Sequence, residues 1–132
     1  MTAAAQTDQK NMVDFTSQLF PMRVLAELDQ KYGFYVAYCL ETGSVTTADD
    51  MNTVLDMMKE LLEDEVTRVL KSKNLSNFFS TPAPFEVREK WVKLAMERPD
   101  EIGRMNLDLK FPKAGADGRQ SATTVAVLRA AA

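Results

Sequence analysis

The sequence contains few side chains that could carry out chemistry, and histidine is absent from it. Histidine is the only side chain that titrates near neutral pH without help from its surroundings, and it is the commonest metal ligand. Its absence excludes Ser–His–Asp and Cys–His catalysis, the usual zinc sites and haem ligation through histidine. Catalysis by carboxylates or lysines with shifted pKa values is the enzymatic alternative that this composition leaves open.

The single cysteine, Cys39, lies within an apolar run that covers residues 34–40. A reactive cysteine needs exposure and an electropositive neighbourhood, and the surrounding sequence suggests neither. We therefore expect a buried and unreactive thiol. A chain with one cysteine forms no intrachain disulfide, which is typical of proteins from a reducing cytoplasm.

Two segments contain residue types found in ligand sites, but their spacing does not fit such a site. The acidic side chains of Glu63, Asp64 and Glu65 are consecutive, so on a helix they point in different directions and cannot converge. Residues 113–119 contain two glycines, a lysine and an arginine, yet they lack the pattern of a phosphate loop and the alternating acids of a calcium loop. We predict no catalytic residue, no metal site and no cofactor.

Side chains suited to contacts with another protein are more frequent. Methionine is flexible and is common at adaptable binding surfaces, and the chain has eight methionines. Paired phenylalanines in a polar connection either fill the core or anchor a partner. Core packing is the competing interpretation for both. The candidate partner-binding residues are Met57, Phe78, Phe79, Lys90, Trp91, Lys93, Val125 and Val127.

The richest cationic stretch runs from residue 71 to residue 104 and supports an alternative function, a nucleic-acid-associated regulator. Its members are Lys71, Lys73, Arg88, Lys90, Lys93, Arg98 and Arg104. Glutamates four residues before Lys90 and Lys93 partly neutralise this stretch. The formal net charge of −3 also lacks the basic excess of most nucleic-acid binders.

The first third of the chain is predicted to be mainly helical. Apolar residues spaced three and four apart predict short helices over residues 12–19 and 22–32, with Gly33 as a C-cap. Residues 34–40 are apolar or amphipathic at every position, so neither the helix period nor the strand period can be read there. Their helical neighbours favour a helix, whereas their aromatic and β-branched content favours a strand. Helix is the favoured interpretation.

The clearest element is a long amphipathic helix from about residue 48 to residue 72. Its apolar stripe comprises Met51, Leu55, Met58, Leu62, Val66 and Val69. A further helix is predicted over residues 85–97, with Trp91 on its inner face. Alternating polarity over residues 107–111 predicts a strand. Residues 122–128 are β-prone and either pair back on that strand or form a tail that orders on a partner.

These elements predict a mainly α fold, a bundle of four to five helices with a C-terminal β-hairpin or extended tail. The 132 residues suit one domain. Residues 1–9 are the expected flexible lead-in, and residues 106–132 are the expected hairpin or partner-binding tail.

The expected function is a non-catalytic protein–protein interaction module, such as an accessory subunit, assembly chaperone, adaptor or inhibitor. The partner is expected to be another protein, in a homo-oligomer or a heterocomplex. No apolar run approaches the about twenty residues of a membrane span. The amino terminus also lacks the pattern of a secretory signal, so a cytoplasmic location is expected.

Overall fold

The centre of the fold is a five-stranded mixed sheet with a helix on each face. The structure, a computed structural model, describes residues 22–72, 81–109 and 123–130. The strands are β1 (Met22–Asp29), β2 (Phe34–Cys39), β3 (Val45–Ala48), β4 (Gly103–Leu107) and β5 (Thr123–Ala130). The α-helices of the described residues are α1 (Met51–Ser72) and α2 (Phe85–Glu97), and a short 3-10 turn, Pro99–Glu101, follows α2.

The prediction of a mainly α bundle of four to five helices is therefore wrong, because the chain forms an α/β fold around this sheet. The helix predicted over residues 22–32 is strand β1, and the helix favoured for residues 34–40 is strand β2, which ends at Cys39. The helix predicted over residues 85–97 is present with those bounds. The helix predicted at residues 12–19 lies outside the described residues.

The order of strands across the sheet is β3-β2-β1-β5-β4. The central strand β1 pairs antiparallel with β2 and parallel with β5. The remaining pairs, β2–β3 and β4–β5, are antiparallel. The strand predicted over residues 107–111 is wrong in its bounds, because β4 covers Gly103–Leu107. The two C-terminal strands pair with each other, and β5 also lies beside β1, so β5 is an interior strand of the sheet rather than a tail.

The long helix α1 covers one face of the sheet. Its side chains Val54, Met58, Leu62 and Val66 are fully buried. They form one cluster with alternate residues of the strands, which are Met22, Val24, Ala26, Ala37, Cys39, Leu107, Val125 and Val127. The long amphipathic helix of the sequence analysis is confirmed by this packing.

Helix α1 begins at Met51 because the preceding residue, Asp50, caps it. The Asp50 carboxylate accepts hydrogen bonds from the Thr53 backbone N–H at 2.8 Å and from the Thr53 hydroxyl at 2.9 Å. The Asp50 carbonyl accepts the first helical hydrogen bond, from the Val54 N–H. A side-chain acceptor at this position satisfies an N–H group that the helix leaves unpaired.

The second helix, α2, packs on the opposite face of the sheet. Trp91 is the main buried side chain of this helix, and it contacts a cluster formed by Leu25 on β1, Leu40 after β2 and Leu128 on β5. The Leu40 carbonyl also accepts a hydrogen bond from the Ala83 N–H, two residues before α2 begins. This bond fixes the start of α2 against the end of β2.

Candidate functional site

Helix α2 covers only part of its face of the sheet, and a groove lies beside it. The apolar cluster beneath α2 involves β1, β5 and the residue that follows β2. The β2 and β3 side of the same face extends beyond the helix, where Tyr38 is half-buried and its pairing partner Val45 is exposed. The groove has a volume of about 1360 Å³ and lies between α2 and the carboxyl end of β1.

The outer face of α2 presents an exposed apolar stripe at the side of this groove. Phe85, Val92 and Met96 are 64%, 48% and 78% exposed. Their spacing of seven and four residues puts them on one side of the helix. The described residues include seven exposed large apolar side chains, and this one helix face carries three of them. The stripe is therefore the densest exposed apolar surface on any one element of the described chain.

The charged side chains around the groove are mainly acidic. Five carboxylates and three cationic side chains line it. The carboxylates are Glu27 and Asp29 on β1 and Glu86, Glu89 and Glu97 on α2. The Lys90 Nζ lies 2.7 Å from Glu27 Oε1, which neutralises one of the three cations and joins α2 to β1.

The acidic character of the groove reaches its floor at Tyr38. Burial raises the pKa of the Tyr38 hydroxyl above its ordinary value, and the negative charges of Glu27 and Asp29 raise this pKa further. Lys90 opposes the shift. The carboxylates therefore produce a negative potential at the floor, and the single lysine does not cancel it.

Two of the predicted partner-binding residues line this groove. Lys90 and Lys93 both lie along it. Lys90 is paired with Glu27 on the sheet and not with Glu86, the helix neighbour that the sequence spacing favours. The contribution of Lys90 is therefore to dock α2 on β1, whereas Lys93 forms no ion pair with any described residue.

The structure places three other predicted residues in the core. Trp91 is 5% exposed beneath α2, and Val125 and Val127 are buried between β5 and α1. These three side chains stabilise the fold and present no surface to a partner in this state. Met57 is exposed on α1, on the opposite side of the sheet from the groove. Phe78 and Phe79 lie outside the described residues.

The apolar stripe and the acids of β1 were not among the residues predicted from the sequence. The stripe was predictable from the sequence, because Phe85, Val92 and Met96 fall on the outer face of a helix whose bounds were predicted. The position of Glu27 and Asp29 beside α2 was not predicted, because the segment that carries them was interpreted as a helix rather than a strand.

The cationic residues between 71 and 104 that the structure describes are not gathered on one face, and Lys73 lies outside the described residues. Lys71 lies at the end of α1, on the other side of the sheet from α2. Lys90 and Arg98 form ion pairs with Glu27 and Glu101. Arg88 donates to the Ala83 carbonyl at the start of α2. This arrangement gives no specific support to nucleic-acid binding.

The described residues present no arrangement suited to metal chemistry. Within residues 22–72, 81–109 and 123–130, no group of three or more histidine, cysteine, aspartate or glutamate side chains could hold a metal ion. Cys39 is free and fully buried, as expected, and burial raises the pKa of its thiol.

Comparison of the chain with known protein families, with curated proteins and with solved structures gave no match. Neither helix of the described chain is long and apolar enough to span a membrane. The case for a function therefore depends on the geometry of the groove and the stripe.

Proposed function

We propose that this protein is a non-catalytic protein–protein interaction module that binds another protein through α2 and the groove beside it. The observation that carries the proposal is the apolar stripe of Phe85, Val92 and Met96 on the outer face of α2. Single exposed apolar side chains are normal on a protein surface, but a contiguous group with a charged border is typical of an interaction site.

The groove and the stripe form one continuous surface, because Phe85, Val92 and Met96 also line the groove. A partner that entered the groove would therefore cover the stripe and also contact residues of β1 and β2. Burying an apolar side chain of this size contributes about 1.5–3 kcal/mol. A few such side chains supply most of the binding free energy of a typical interface.

We predict that removing apolar side chains from the stripe weakens partner binding without unfolding the protein. The variant is Val92→Ser combined with Met96→Ser, and the matched control is Met57→Ser, which removes an exposed methionine from α1 on the other side of the sheet. All three positions are exposed and helical. Each substitution should therefore change the free energy of unfolding by only about 0.5 kcal/mol.

Affinity purification from the source cells, followed by titration of the retained protein, measures the effect. We expect one protein to be retained by the wild type and by Met57→Ser. The double variant should bind it at least tenfold more weakly, since about 1.4 kcal/mol corresponds to tenfold. Equal retention by all three chains would contradict the proposal, as would a protein that neither associates with itself nor retains any partner.

We also propose that this binding takes place in the cytoplasm. The free and buried state of the single cysteine is compatible with a reducing compartment. Cell fractionation with an antibody to the protein tests this, and recovery in a secreted or membrane fraction would contradict it.

A further inference from the structure

We infer that the partner segment that enters the groove is basic and amphipathic, with cationic side chains next to an apolar face. This inference rests on the proposed function, because it describes what binds at the same surface. It adds the chemistry of the partner, which the apolar stripe alone does not define.

The groove carries more negative than positive side chains. Five carboxylates face three cations along its walls. Glu86, Glu89 and Glu97 form no ion pair with any described residue, whereas Lys90 is already bound to Glu27. Glu89 belongs to the same side of α2 as the apolar stripe, one helical turn after Phe85. A segment that covers the stripe must therefore lie against these carboxylates.

The negative side chains lie along both walls of the groove, next to its apolar surface. Glu27 and Asp29 are close enough to Tyr38 to influence its hydroxyl group at the groove floor. The acids on β1 and those on α2 thus border the groove on both sides. Lysine or arginine side chains on a bound segment would meet carboxylates on either side while its apolar residues cover Val92 and Met96.

The same charges disfavour the other occupants. A second copy of the chain that docked through the same surface would bring two grooves with an excess of carboxylates together, and like charges across an interface oppose binding. A nucleic acid would place phosphates against the same carboxylates. A basic segment is the occupant that the charge and the apolar stripe favour together.

Designed peptides test this inference without knowledge of the natural partner. The probes are helical peptides of about 14 residues, which match the ~20 Å length of α2 at 1.5 Å per residue. One peptide has leucines on one face and lysines on the other, the second has glutamates in place of the lysines, and the third has serines in place of the leucines. Binding to the full-length chain is measured by calorimetry and by NMR shift changes.

We expect only the leucine–lysine peptide to bind measurably, with NMR shift changes concentrated on α2 and the end of β1. Replacing two groove acids, Glu89→Gln with Glu97→Gln, should weaken binding at least fivefold. The control Glu60→Gln, which removes an exposed acid from α1, should leave binding unchanged. Added salt should weaken binding to the wild type more than binding to the variant without the two acids.

The outcomes separate this inference from the proposed function. Equal binding of the leucine–glutamate peptide, no effect of Glu89→Gln with Glu97→Gln, or no binding of any peptide would overturn the inference of a basic partner. The proposed function would still stand if the partner found by purification depended on Val92 and Met96. It would fail if that double variant retained the partner as well as the wild type does.

Discussion

Trp91 and Val92 are neighbours in the sequence, but they project about 100° apart around α2 and have different roles. Trp91 is buried against Leu25 and Leu128 of the sheet, whereas Val92 is about half exposed. An aromatic residue at helical spacing fits a core position and an anchor for a partner equally well. The sheet beneath α2 decides between the two, and it was not predicted. The role of Trp91 therefore could not be read from its own segment.

The capping residue Asp50 gives a prediction about pH. The hydrogen bonds from Thr53 hold the pKa of the Asp50 carboxyl below its ordinary value of 3.8. A carboxyl whose pKa is lower in the folded state stabilises the fold above its unfolded pKa, and this contribution is lost as the pH falls through the folded pKa. Asp50→Ala should therefore unfold more easily than the wild type at pH 7, by a margin that shrinks in acid below about pH 4.

Urea unfolding monitored by circular dichroism at pH 7 and in acid measures this margin. The control is Asp49→Ala, whose side chain makes no hydrogen bond in the described chain and should have little effect at either pH. A margin for Asp50→Ala that did not change between the two pH values would show that the carboxylate charge contributes nothing to the cap.

Among the elements, the sequence predicted both long helices of the described chain and the β-prone segment that forms β5, but not strands β1 and β2. Helices α1 and α2 each bury one stripe and expose the rest, so the helix period is visible in them. Strand β1 is buried on both faces, since Val24, Leu25 and Ala26 are all 0% exposed. A strand covered on both sides loses the alternation that identifies strands. Leu25 and Leu28 then matched a helical spacing by coincidence.

The turn between β2 and β3 packs closely against the segment that precedes α2. Gly43 has a φ of 76°, and a Cβ atom there would lie 2.0 Å from the Thr81 carbonyl oxygen. Gly33, in the turn between β1 and β2, has a φ of 80° but open space around it. Gly33→Ala should destabilise the fold by about 1 kcal/mol through φ alone. Gly43→Ala should cost at least about 1 kcal/mol more, because the backbone before α2 must also move.

Urea unfolding of the two variants under the same conditions checks the difference. The hydrogen bond from the Ala83 N–H to the Leu40 carbonyl holds the segment before α2 against the end of β2. Gly43→Ala moves this segment, so it should also weaken binding of the leucine–lysine peptide beside α2. Gly33→Ala should leave peptide binding close to that of the wild type. Equal loss of stability in the two variants would mean that the approach of Thr81 to Gly43 does not constrain the fold.

At the scale of the whole molecule, the candidate site was only partly predictable. Lys90 and Lys93 were predicted to contact a partner, and both line the groove. The groove itself forms only because β1 and α2, which are far apart in the sequence, pack side by side. The acids that give it its charge come from both elements. Because no single segment contains the site, the pattern of any one segment does not predict it.

The proposed function requires that a partner covers α2 and the groove and leaves the outer face of α1 free. Amide hydrogen exchange of the full chain, alone and with the protein retained in the purification, tests this claim directly. We predict slower exchange over Phe85–Glu97 and the facing parts of β1 and β2, with the exchange of Met51–Ser72 unchanged. Slower exchange confined to α1, with α2 unaffected, would contradict the claim.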